Sequence, residues 1–144
     1  MHKITFILAL TLATFVSAQN SPRTDLSPEN LVQQQVEGYN AGDIDAFMAP
    51  YSDSMEIYNF PNQFQEKGKI EITKRYEEMF RNIPDLHCEI INRTIHGNTV
   101  IDKERITGLP NGKIMEALAI YVIENSKIQR VYFGEPIMID LGKK

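Results

Sequence analysis

Four ionisable residues close together in the chain, His87, Arg93, Asp102 and Glu104, are of the kinds that move protons or hold the polar end of a ligand. Asp102 and Glu104 stand two apart, so on a strand they project to the same side. A carboxyl group held in an apolar cavity has its pKa raised toward neutrality, which suits general acid–base work. His87 is a second candidate base. The alternative is structural: Arg93 and Asp102 form a cross-strand ion pair and Glu104 is solvated. Gly97-Asn98 reads as the tight turn of a hairpin that carries all four. With those two residues as the loop, Ile95 faces Val100, Arg93 faces Asp102, Ile91 faces Glu104 and Glu89 faces Ile106, with His87 on the same face. That face is too charged for plain core and too aliphatic for plain surface.

The rest of the chain must position this hairpin. Ser27-Pro28-Glu29 starts a helix with a serine cap, a proline in the first turn and an acid near the positive end. Val32, Val36 and Tyr39 mark its buried stripe. Gln35 falls on that stripe, either pointing inward or sitting at the helix edge. Gly42 ends the helix and Asp43 caps a short second one, whose apolar face is Ile44, Phe47, Met48 and Tyr51. Met55 to Phe60 reads as a strand, and Gln63 to Gly68 has room for a short edge strand. Ile70 to Ile83 is a third helix, with Ile72, Tyr76, Met79, Phe80 and Ile83 inward. After the hairpin, Pro110-Asn111-Gly112 turns the chain into a long strand, Lys113 to Glu124, and Ser126 turns it again into Lys127 to Gly134. Ile137, Ile139 and Leu141 alternate in the tail as an edge strand or flap.

Composition narrows the function. The 144 residues suffice for one domain with a core. Residues 1–18 read as a secretory signal peptide: a basic start, an apolar run of 13 residues from Ile4 to Val16, and small residues up to Ala18. That run falls short of the roughly 20 residues a spanning helix needs, so an uncleaved anchor is the weaker alternative. The expected product is exported, either periplasmic or secreted. Removing Lys3 with the leader leaves fourteen basic against nineteen acidic residues, a net charge of −5. The basic residues are scattered, so neither nucleic acid nor, after cleavage, a membrane is an expected partner. Cys88 is the single cysteine, so no disulfide forms within the chain. Neighbours on a strand point oppositely, so Cys88 and His87 make no nucleophile–base pair. His87 and His96 are too few and too far apart for a metal site, and nothing calls for a cofactor. Asn92-Arg93-Thr94 is a glycosylation sequon inside a predicted strand.

The Lys113–Glu124 strand is apolar on both sides. Met115, Ala117, Ala119, Tyr121 and Ile123 share one face; Ile114, Glu116, Leu118, Ile120 and Val122 share the other. One face should pack on the helices. The other needs a second cover, either another copy of the chain or the tail, and a homodimer through that face is the expectation.

The order helix, short helix, strand, helix, four-strand meander resembles the nuclear-transport-factor-2-like superfamily, which includes SnoaL-like polyketide cyclases and ketosteroid isomerases. The resemblance is closest in Tyr39-Asn40-Ala41-Gly42-Asp43-Ile44-Asp45-Ala46-Phe47 and Tyr51-Ser52-Asp53. It resumes at Gly68-Lys69, Ile101-Asp102-Lys103-Glu104-Arg105 and Val131-Tyr132-Phe133. It implies a cystatin-like, cone-shaped α+β barrel: three N-terminal helices packed on a curved antiparallel sheet around a pocket, often in a dimer. The layout is then a signal peptide at 1–18, a flexible N-terminus at 19–26, the SnoaL-like domain at 27–134 and a tail at 135–144. Ketosteroid isomerase uses an aspartate base on the first strand and an oxyanion hole of a tyrosine and a protonated aspartate. The corresponding positions here are Asn59, Gln35 and Tyr121. Asn59 is no base, so true steroid isomerase activity is not expected.

All three positions stay polar, which suits a pocket gripping the polar end of a small, mostly apolar or amphipathic molecule. Gln35, Asn59 and Tyr121 would supply hydrogen bonds, Arg93 a charge, and Met115, Ala119, Val131 and Phe133 walls. The expectations are cofactor-independent proton transfer of an isomerase, cyclase or hydrolase kind by Asp102 or Glu104, with His87 in reserve; a non-catalytic binder; or a dimeric association module.

Overall fold

The computed structural model of the chain describes residues 25–139. The predicted leader at 1–18, the stretch to 24 and residues 140–144 lie outside the described residues. Helix α1, Pro28–Ala41, begins where Ser27 Oγ accepts the Asn30 amide and stops at Gly42, whose left-handed φ of 62° ends the spiral. It buries Leu31, Val32, Gln35 and Val36. Helix α2, Ile44–Met48, is capped by Asp43, whose carboxylate accepts the Ala46 amide at 3.0 Å. The two helices meet backbone to backbone at Gly38, where a Cβ would stand 2.2 Å from the Phe47 nitrogen.

Strand β1, Tyr51–Asn59, starts earlier than Met55, because Tyr51 leaves the helical path and enters the core beside Met55 and Ile57. Strand β2, Gln63–Lys67, folds back antiparallel on β1. Helix α3, Lys69–Asn82, buries Ile72 and half-buries Tyr76, Met79 and Phe80. Strands β3, His87–His96, and β4, Thr99–Thr107, form the hairpin around Gly97-Asn98. Strands β5, Ile114–Glu124, and β6, Lys127–Phe133, continue the meander. A short β7, Ile137–Ile139, pairs with Ile114–Glu116 of β5. The tail therefore lies along an edge of β5, beyond the stretch that β6 occupies, and extends the sheet.

The sheet overturns the barrel expectation. Its order is β2-β1-β6-β5-β4-β3, so β2 and β3 are free ends that never meet and the sheet stays open. Nor is it wholly antiparallel: β1 and β6 run parallel, with Ile57 beside Val131 and Asn59 beside Phe133. A parallel pair needs a long connection, and here everything from β2 to β5 supplies it. The helices close the concave side instead of the strands. Leu31 and Val32 of α1, Phe47 of α2 and Ile72 of α3 share one core with Val100 of β4, Tyr121 of β5 and Val131 of β6. With α1, α2 and α3 packed over this face, its apolar side chains are buried without the strands closing on themselves.

Candidate functional site

Between α1, α3 and the concave face lies a cavity of about 290 Å³. Strand alternation sends Val100, Asp102, Glu104 and Ile106 inward from β4, all of them buried. Facing them, α1 delivers Gln35 from its buried stripe, β5 delivers Tyr121 and the start of β1 delivers Tyr51. These four polar groups form one chain. The Tyr51 hydroxyl donates to Gln35 Oε1 at 3.3 Å, Gln35 Nε2 donates to the Tyr121 hydroxyl at 3.1 Å, and that hydroxyl donates to Glu104 Oε1 at 2.8 Å. The three hydrogen bonds all run toward the carboxyl group, which has only acceptors to offer when ionised.

Glu104 is 6% exposed. Burial raises its pKa from 4.5 to about 7, with the Tyr121 hydrogen bond and the Arg93 charge pulling down and the Asp102 charge pushing further up. Burial also pushes the Tyr121 and Tyr51 hydroxyls and the Cys88 thiol well above their ordinary values, so these stay protonated. Glu104 is thus the group in the cavity that can gain or lose a proton near neutral pH.

Asp102 plays a different part. Its carboxylate, 0% exposed, receives both prongs of Arg93, from Nε and Nη2, each at 2.8 Å. The third Arg93 nitrogen, Nη1, donates to Gln33 Oε1 at 3.0 Å. The hydrogen bonds that Arg93 donates to Asp102 hold its pKa above the ordinary arginine value. Neither residue lines the cavity. The cross-strand ion pair that the sequence allowed as an alternative is present, whereas Glu104 is buried instead of solvated.

The predicted hairpin register holds near the turn and fails beyond it. Ile95 pairs with Val100 and Arg93 with Asp102, but a bulge at Ile91 inserts one unpaired residue, so Ile90 faces Glu104 and Cys88 faces Ile106. One extra residue reverses which side chains point inward. Cys88 therefore lines the cavity, and His87, paired with Thr107, is exposed on the other face. His87 is not brought to the site. Asn40 of α1 secures this end of β3, accepting the Cys88 amide at 2.6 Å and donating to the Cys88 carbonyl at 2.9 Å.

The ligand-binding positions also separate. Gln35, Asn59, Tyr121 and Phe133 line the cavity, and Arg93 does not. Asn59 is exposed and donates to Gln63 Oε1 at 3.4 Å, which puts it toward the solvent side. Of the expected walls, Met115 and Phe133 face the cavity, and Ala119 and Val131 are buried in the core. Sequence reasoning missed Tyr51 because it read as a helix residue, and missed Cys88 because no local signal marks the bulge. Tyr76 of α3 was legible only as core, yet its ring also lines the cavity.

The family model for the SnoaL-like domain matches residues 32–131. No curated protein matches the chain. Among solved structures, an uncharacterised cystatin-fold protein from Novosphingobium aromaticivorans is 25% identical, with 74% of this chain and 97% of that one covered and a TM-score of 0.68. A SnoaL-like protein of unknown function from Burkholderia thailandensis is 21% identical, covering 81% and 99% at a TM-score of 0.64. A nuclear-transport-factor-2-like protein of unknown function from Cytophaga hutchinsonii is 17% identical, covering 77% and 91% at a TM-score of 0.64.

Proposed function

Because the chain belongs to the SnoaL-like domain family, we propose that it holds a small, mostly apolar molecule in the cavity and moves a proton on it without a cofactor. Glu104 takes the proton and returns it. One carboxyl group suffices for such a shift, since the same oxygen can remove a proton at one atom and deliver it to another. Gln35 and Tyr121 hold the carboxyl group in place, and Asn59 orients the polar end of the ligand. The observation that carries this reading is a buried carboxyl of pKa about 7 in a cavity walled by Val36, Phe47, Ile106, Met115 and Phe133. Metabolites released by denaturing the purified protein, identified by mass spectrometry, name the ligand. Incubation of that ligand with protein in deuterated water then tests the chemistry. Deuterium should enter with the native protein and not with Glu104→Gln; equal incorporation refutes proton transfer, and a ligand that stays unlabelled with both makes the domain a binder.

Export and self-association belong to the same proposal. The Ile4–Val16 run supports secretion, tested by sequencing the mature N-terminus, expected at Gln19. The outer face of β5 supports a homodimer: Leu118 is 40% exposed there, and β7 leaves that face open by pairing at the strand edge. Charged neighbours ring it, with Glu116 paired to Lys103 and Arg105. Light scattering on the native protein and Leu118→Glu distinguishes a dimer broken by the substitution from a monomer in both.

A further inference from the structure

The cavity is chemically lopsided. Among its lining residues Glu104 is the one that bears a charge near neutral pH, and no lysine, arginine or histidine lines it. Arg93, the cation behind it, does not line the cavity and directs its hydrogen bonds to Asp102 and Gln33. The hydroxyls of Tyr51 and Tyr121 and one N–H of Gln35 are used in the chain that ends on Glu104 Oε1. Among the described residues no donor reaches Oε2. Glu104 therefore presents one oxygen with no donor of the protein on it, and no lining residue supplies it a cation.

The remaining wall is aromatic. Tyr39, Phe47, Tyr51, Tyr76 and Phe133 line the same space. The Phe47 ring centre lies 4.6 Å from that of Tyr76, 5.6 Å from Tyr51 and 5.9 Å from Tyr39, at tilts of 48–58°. Such rings carry negative charge on their faces and attract a cation within about 6 Å of the ring centre. A metal ion is a poor match, since hard cations want six or more oxygen ligands and one carboxylate supplies two at most. An anion would meet the Glu104 charge head on. A neutral alcohol could hydrogen-bond to Oε2 but would leave the buried charge uncompensated.

We infer that the cavity takes a small apolar amine, its ammonium group against Glu104 Oε2 and its hydrocarbon among the rings of Tyr39, Phe47, Tyr51, Tyr76 and Phe133. The inference rests on the ligand-pocket reading above and not on the proton-transfer step, since an ammonium on Oε2 takes the carboxylate oxygen that step would use. An ammonium supplies the counter-charge that the fold withholds from Glu104 by pairing Arg93 with Asp102. A cavity of about 290 Å³ has room for an amine carrying one short methylene chain or one ring.

Three matched pairs test this by calorimetry on the purified protein at pH 8: 2-phenylethylamine with 2-phenylethanol, cyclohexylmethylamine with cyclohexylmethanol, and hexylamine with 1-hexanol. In at least one pair the amine should bind tenfold or more tightly than its alcohol. Glu104→Gln should abolish that preference while alcohol binding persists; a preference that survives the substitution overturns the contact with Glu104. The comparison of amine with alcohol in the native protein stands even if the variant folds poorly. Alcohols that bind as well as amines overturn the inference and leave the apolar pocket standing. If no compound of either class binds the native protein, the pocket reading falls as well.

Discussion

Replacing Glu104 by glutamine should make the protein more stable at and above neutral pH. Burial raises the Glu104 pKa from 4.5 to about 7. Between those values the native state holds a proton that the unfolded chain releases, so stability falls as pH rises through that window. That rise corresponds to roughly 3 kcal/mol, fully lost once the pH is above 7. Glutamine has the same shape and keeps an oxygen for the Tyr121 hydroxyl, but it has no charge to bury. Urea unfolding of both proteins from pH 4.5 to 8.5 measures the difference directly. At the acid end the two should agree within about 1 kcal/mol, since both side chains are then neutral hydrogen-bonding groups. At pH 8.5 the variant should be more stable by about 3 kcal/mol, with the divergence building between pH 4.5 and about 7 and level above that. A constant difference across the range would refute the reasoning, because it would mean that Glu104 titrates at the same pH folded and unfolded.

The neighbouring contacts give sharper tests of the same environment. Tyr121→Phe removes the one hydroxyl that stabilises the Glu104 charge, so the Glu104 pKa should move further above 7 in carboxyl carbon NMR, at a cost of about 1.5–3 kcal/mol in stability. Arg93→Met strands the fully buried Asp102 carboxylate and should cost about 3–5 kcal/mol; adding Asp102→Leu should recover most of it, and additive losses in urea unfolding would show that the two do not act as a pair. Gly38→Ala drives a methyl group into the Phe47 backbone and should lower stability by about 3 kcal/mol, with the melting temperature as readout and an unchanged value as the contrary result.

Local physics explains how far the sequence could be read. Ser27, Pro28, Gly42 and Asp43 act on backbone groups a few residues away, so both helix ends they control were legible. Gly97-Asn98 sets the register of the residues beside it, which is why Arg93–Asp102 and Ile95–Val100 pair as expected. Gln35 lies inward as helical spacing allows, and the resemblance in the Tyr39–Phe47 stretch led to the right family. Beyond that reach the outcome depends on contacts between distant parts of the chain. The Ile91 bulge lets Asn40 hold the Cys88 backbone and turns Cys88 inward and His87 outward, an exchange no neighbouring residue announces. The parallel union of β1 with β6 and the open sheet depend on helices packing in the hollow, so strand patterns alone could not exclude a closed barrel. The sequence by itself determined that two carboxylates would stand on one side of β4. Only the tertiary structure decided that Arg93 neutralises Asp102 and leaves Glu104 to the cavity, because a side chain's charge state follows from what surrounds it in space and not from its neighbours along the chain.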